Sequence, residues 1–101
     1  MSFIIVKNGT WLYDNSAEKP VDIISLDYDF WCEIGKANDQ LEPNEEPEPM
    51  NEKGVLYYYR IGRALETSEP TWVDSAGYRD LDEAMAKAQE RAPSRIEWLA
   101  R

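Results

Sequence analysis

Between Val21 and Ile34 the chain alternates apolar and polar residues. Ile24, Leu26, Tyr28, Phe30, Cys32 and Ile34 fall on one side of the alternation, and Ser25, Asp27, Asp29, Trp31 and Glu33 on the other. Successive strand side chains point to opposite faces, so this period of two predicts one long strand running to about Gly35, with a buried and a wet face. Gly54 opens a second run of the same kind. Val55, Tyr57, Tyr59 and Ile61 share one face, and Leu56, Tyr58 and Arg60 the other. The two runs are expected to pair antiparallel. Further upstream, Phe3-Ile-Ile-Val6 and Trp11-Leu-Tyr13 flank an Asn8-Gly9 dipeptide. Both residues tolerate positive φ, so the dipeptide predicts a type I′ hairpin. Asn8-Gly9-Thr10 also matches a glycosylation sequon, read here only as part of that turn. The stretch from Pro70 to Tyr78 reads as a weaker edge strand, because it contains Pro70 and Gly77.

The period changes after Asp80. Leu81, Ala84, Met85, Ala88 and Ala92 recur at helical spacing. Asp80 and Glu83 form a capping-box pattern with Asp in place of Ser or Thr. Asp82 and Glu83 in the first turn and Arg91 in the last suit the helix dipole. Glu83 and Lys87 make an i,i+4 pair, and Pro93 stops the helix. From Arg95 onward, Ile96 and Trp98 alternate as in a short strand, although Ser94 and Glu97 resemble a second capping box. Several strands followed by a helix predict an α+β domain. Its antiparallel sheet has about four to six strands, with one C-terminal helix packed on the apolar face. Ile24, Leu26, Tyr28, Phe30, Val55, Tyr57, Tyr59, Leu81, Met85 and Ala88 are expected to form one core.

One segment fits neither period. Residues 36–53 contain Glu42-Pro-Asn-Glu-Glu-Pro-Glu-Pro49, whose prolines and carboxylates exclude a central strand or a regular helix. The expectation is an acidic, Pro-rich loop within a single domain spanning 1–101. The whole chain leans the same way, with 20 Asp and Glu against 11 Lys and Arg and a formal net charge of −9. Such a charge repels nucleic acid and anionic membrane and favours a basic partner. No apolar run is long enough to span a bilayer, and the first residues lack the basic and long apolar segments of a signal peptide. The single cysteine, Cys32, cannot close an internal disulfide and falls on the apolar face. A reducing, cytoplasmic location is therefore expected.

Candidate chemistry is sparse. The chain has no histidine, so a conventional nucleophile triad cannot be assembled and the commonest metal ligand is missing. Asp27 and Asp29 have the Asp-x-Asp form that some metal-dependent enzymes use. Strand geometry would set their Cα atoms about 6.7 Å apart, which is long for joint chelation. Glu33, Tyr58 and Arg60 could meet across the hairpin as an acid–base group, or simply as cross-strand pairs that stabilise a sheet. There is no Gly-rich phosphate loop, Cys-x-x-Cys pair or nucleophile elbow. No catalytic residue, metal or cofactor is expected.

The aromatics say more. Trp31, Tyr58 and either Trp11 or Trp72 are candidates for exposed rings. Trp31 stands out because its wet-face neighbours, two residues away, are Asp29 and Glu33. An apolar anchor flanked by carboxylates suits a basic, partly apolar partner. The resulting expectation is an acidic protein-interaction module that docks on a basic, nucleic-acid-binding protein. It would act as a nucleic-acid mimic or inhibitor of the type that phages direct at host defence nucleases, without binding nucleic acid or membrane itself. Its partner-binding surface would comprise Asp27, Asp29, Trp31, Glu33, the loop residues Glu42, Glu45, Glu46 and Glu48, and Tyr58. Two readings compete with it. One is a small intracellular domain that forms a homodimer through an exposed sheet edge. The other is a small hydrolase or ligand-binding protein that uses the wet-face carboxylates.

Overall fold

The hairpin that starts the fold turns at Asp14-Asn15, not at Asn8-Gly9. The computed structural model describes residues 3–37, 50–62, 64–67 and 72–99. In it, β1 (Ile4–Tyr13) continues through Asn8 and Gly9 and pairs antiparallel with β2 (Ala17–Leu26), with Ile4 opposite Ser25 and Tyr13 opposite Ala17. Asp14 and Asn15 hold φ of 52° and 55°, as the central residues of a type I′ turn must, and the Ser16 N–H donates to the Tyr13 carbonyl at 3.1 Å. Asp and Asn tolerate that region better than other non-glycine residues. Gly9 serves a different purpose. The two-residue strand β4 (Glu97–Trp98) pairs with Gly9 and Thr10, and a Cβ on Gly9 would collide with the Glu97 carbonyl oxygen. The glycine permits close approach of two backbones, not reversal of one. The tail thus does form the short strand that Ile96 and Trp98 suggest.

β2 ends at Leu26, and the chain bends through Asp27 and Tyr28 into α1 (Phe30–Ala37). The long strand expected to reach Gly35 is two elements. Alternation misleads here because so short an apolar run also fits a helix. Phe30 and Ile34 are four residues apart and pack into one cluster. Asp29 caps the helix: the Cys32 N–H donates to its Oδ1 at 3.1 Å, and the Glu33 N–H to its carbonyl at 3.1 Å. β3 (Leu56–Arg60) then pairs antiparallel with β2, as its alternation predicts, with Leu56 opposite Leu26 and Arg60 opposite Asp22. The expected edge strand at 70–78 is irregular where it is described, because it binds β3 at separate points. Tyr78 makes an isolated bridge to Tyr57. The Asp74 N–H donates to the Tyr59 carbonyl, and the Tyr59 N–H to the Ser75 hydroxyl, each at 3.0 Å.

α2 (Leu81–Arg91) follows Asp80, which occupies the N-cap position without a side-chain hydrogen bond. Lys87 reaches Glu90 at 3.4 Å and not the expected Glu83. The sheet order is β3-β2-β1-β4, all antiparallel, and four strands with flanking helices fit the α+β class. The expected single core is in fact two clusters, one on each face of the sheet. On one face Val21, Ile23, Tyr57 and Tyr59 meet Ala84 and Ala88 of α2. On the other, Ile24, Leu26, Leu56 and Tyr58 meet Phe30 of α1 and Val73. With both faces covered, residues 21–26 and all of β3 are buried, so the predicted wet face does not exist there. Pro20 lies past the end of β3, where β2 has β1 as its neighbour, and its missing N–H costs no bond to β3.

Candidate protein-interaction surface

The predicted site residues do not share a strand face. Asp27 is exposed in the bend after β2, and Asp29 is half-buried at the cap of α1. Trp31 and Glu33 lie on the first turn of α1. Glu42, Glu45, Glu46 and Glu48 lie outside the described residues. Tyr58 is fully buried, and its hydroxyl accepts the Phe30 N–H at 2.9 Å. A helix leaves its first N–H groups without internal partners, and Tyr58 satisfies one of them from below. It fastens α1 to the sheet and is not available to a partner, contrary to the sequence-based expectation.

The geometry around Trp31 is well defined. The residue is 44% exposed, and its Nε1–H donates to the Ser75 carbonyl at 2.7 Å. It stands edge-on to Phe30, with centroids 5.0 Å apart and planes at 84°. Trp72, 41% exposed, meets the same Phe30 ring at 5.6 Å and 69°. Phe30 itself is buried against Tyr58. Two exposed indoles therefore flank one buried ring, which is held by a capped helix and a buried tyrosine. Trp72 is the residue whose place sequence reasoning could not find. It is brought to Phe30 by a tertiary contact that no local period encodes. Trp11, the other candidate, is largely covered in the opposite cluster, and its indole N–H is buried without a partner.

Arg60 also differs from its expected wet position. Its Nε and Nη2 donate to the two carboxylate oxygens of Asp22 at 2.8 and 2.6 Å, and its Nη1 donates to the Glu66 carbonyl at 2.9 Å. The Leu65 N–H adds a bond to Asp22 Oδ2 at 2.8 Å, and the guanidinium lies 5.0 Å from the centroid of Phe3. Both side chains are fully buried. This network ties the segment after β3 to the centre of the sheet, where the carboxylate is committed to structure.

A second surface feature is a cleft of about 270 Å³ lined by Asn51, Lys53, Tyr57, Arg79 and Asp80, at the small end for a ligand pocket. Its charged groups include both signs. The Asn51 amide is committed, with Oδ1 accepting from the Lys53 and Val55 N–H groups and Nδ2 donating to the Arg79 carbonyl. Two residues beyond Tyr57 on β3, Tyr59 is pushed above the ordinary phenol pKa of 10.0, first by burial and then by Tyr78. Among the described residues no group of three or more His, Cys, Asp or Glu side chains is placed to hold a metal ion. No helix among them is long and apolar enough to cross a membrane. No family model matches the chain, and no curated protein or solved structure matches it either.

Proposed function

We propose that the chain is an acidic interaction module that docks on a basic partner protein through the surface around Trp31. The observation that carries this reading is the state of that side chain: half-exposed, yet fixed by its bond to Ser75 and its packing on Phe30. A rigid exposed indole loses little conformational freedom when a partner covers it. Asp27 is exposed in the bend that leads into α1, four residues before Trp31. The net charge of −9 supplies long-range attraction for a basic surface. In the fullest form of the reading, the carboxylates stand in for phosphates and the module occupies a nucleic-acid-binding groove. A cytoplasmic setting belongs to the same reading, supported by the one buried, unpaired Cys32.

The test is capture from a lysate at low and high salt, using the natural chain and an Asp27→Asn/Glu33→Gln variant in parallel. A basic protein retained at low salt, released at high salt, lost with the variant and displaced by nucleic acid is the expected result. Equal retention by both proteins at both salt concentrations would sink the docking reading. Retention that nucleic acid does not displace would remove the mimic and leave the docking.

A further inference from the structure

The cleft at the start of α2 has a chemistry of its own, independent of the surface around Trp31. Two short segments border it. One is the turn from Asn51 to Gly54, closed by the Gly54 N–H donating to the Asn51 carbonyl at 2.9 Å. The other runs from Arg79 into Leu81 of α2. The Asn51 Nδ2–H donates to the Arg79 carbonyl at 3.0 Å and pins the two together. Each segment brings one cation and one anion to the cleft, Lys53 with Glu52 and Arg79 with Asp80. Among the described residues, none of these four side chains takes part in a salt bridge or a hydrogen bond. Tyr57 lines the same cleft and is 8% exposed. Its backbone N–H and carbonyl are both bonded to Tyr78, and its hydroxyl has no partner among the described residues. Among the buried and half-buried ones, Trp11 Nε1 is the one side-chain N or O both closed off from solvent and unpartnered, so the Tyr57 hydroxyl reaches open space. A donor held mostly among apolar side chains binds an acceptor more strongly than one in water.

The charge balance decides the ligand. A free anion meets Glu52 and Asp80 in the cleft and the field of a −9 chain around it. A free cation meets Lys53 and Arg79. A molecule that carries both charges and no net charge avoids both obstacles and can engage all four groups. The volume of about 270 Å³ is at the small end for a ligand pocket, which suits a single amino acid better than a peptide. We propose that the cleft binds an α-amino acid zwitterion, with its carboxylate toward Lys53, Arg79 and the Tyr57 hydroxyl, its ammonium toward Asp80 and Glu52, and its side chain against Leu81. The probes are L-leucine, L-phenylalanine and L-serine, each beside its N-acetyl form, an anion alone, and its amide, a cation alone, with inorganic phosphate as a further anion. They are titrated into the full chain while backbone amide signals are followed by NMR. With at least one amino acid the signals of Lys53, Gly54, Arg79 and Leu81 should move to saturation, while those of Gly9 and Thr10 stay. Its two blocked forms should bind about tenfold more weakly, because each loses a charged hydrogen-bonding end. Asp80→Asn keeps an N-cap residue and should weaken the amino acid about tenfold while leaving the acetylated form unchanged. Tyr57→Phe keeps the ring and should weaken both. Phosphate or an acetylated form that binds as tightly as the amino acid overturns the zwitterion site. Unchanged affinity in Asp80→Asn overturns it too, as does the absence of any movement with all three amino acids. None of these results touches the docking reading, which the capture experiment decides through Asp27 and Glu33.

Discussion

At the scale of single residues, the strongest commitment in the molecule is the buried pair of Asp22 and Arg60. Neither side chain is exposed, and three donors converge on the carboxylate. Such a pair adds little net stability over an apolar core, but removing one member strands the other in a low dielectric. Asp22→Ala should therefore lower stability by about 3–5 kcal/mol, read from the midpoint in urea at unchanged slope. A loss under about 1 kcal/mol would mean that water reaches Arg60. Tyr59 makes a prediction at the other end of the pH range. Its folded-state pKa lies above 10.0, chiefly because burial disfavours the phenolate. Below the unfolded pKa both states keep the proton, and the contribution to stability is whole. As pH rises past 10 the unfolded chain ionises first, and that contribution is lost by the time the folded pKa is passed. The melting temperature should fall above pH 10, and Tyr59→Phe should flatten that fall. An identical alkaline profile for the variant would assign the loss to other groups.

At the scale of elements, Gly9 gives the clearest test of how the strands are arranged. If Asn8-Gly9 were a turn, Gly9→Ala would strain a positive φ. In the observed fold it forces a methyl group onto the Glu97 carbonyl and should detach β4 from β1. The cost should be on the order of 1–3 kcal/mol, as for other overpacked sites. Deleting residues 97–101 should abolish most of the difference between the natural chain and the Gly9→Ala variant in urea melts, and a difference that persists would locate the strain within β1. The same contrast between turn and strand shows what was legible beforehand. α2 could be read because eleven residues hold one period and begin with acids. β3 and its pairing with β2 could be read because a run rich in aromatic and branched residues follows Gly54, from Val55 to Ile61. The break at Leu26 could not, since the residues from Tyr28 to Ile34 satisfy a two-residue period and a helical one equally well. Asp29 was the available signal, an N-cap residue directly before Phe30. The covered second face was hidden for a related reason: Leu56, Tyr58 and Arg60 include a charge, and a charge suggests water unless its partner Asp22 is placed opposite. For the interaction surface, Trp31 beside acids was visible in the sequence, whereas Trp72 depended on contacts across more than forty residues.

At the scale of the whole molecule, one quantity acts in opposite directions on folding and on docking. Twenty carboxylates against eleven cations leave −9 to be accommodated on a small fold. Like charge on a compact body repels itself and favours the expanded chain, while the same field draws in a basic surface. Salt screens both effects. Between about 10 mM and 150 mM the screening length falls from roughly 30 Å to 8 Å, so repulsion between distant carboxylates fades while contacts inside the two clusters do not change. The free protein should therefore melt at a higher temperature as salt rises over this range. Its complex with a basic partner should show the reverse, gaining less over the free protein at each step because affinity declines and ligand-linked stabilisation declines with it. Differential scanning fluorimetry of the free chain and of a mixture at fixed partner excess, across one salt series, reads both trends together. The two melting curves should converge as salt increases. A free chain whose melting point is flat across the series would show that its charges are locally compensated, and the −9 would then be no measure of the field that a partner meets. A complex whose advantage is unchanged by salt would place the binding energy in the apolar surface around Trp31 instead of the carboxylates.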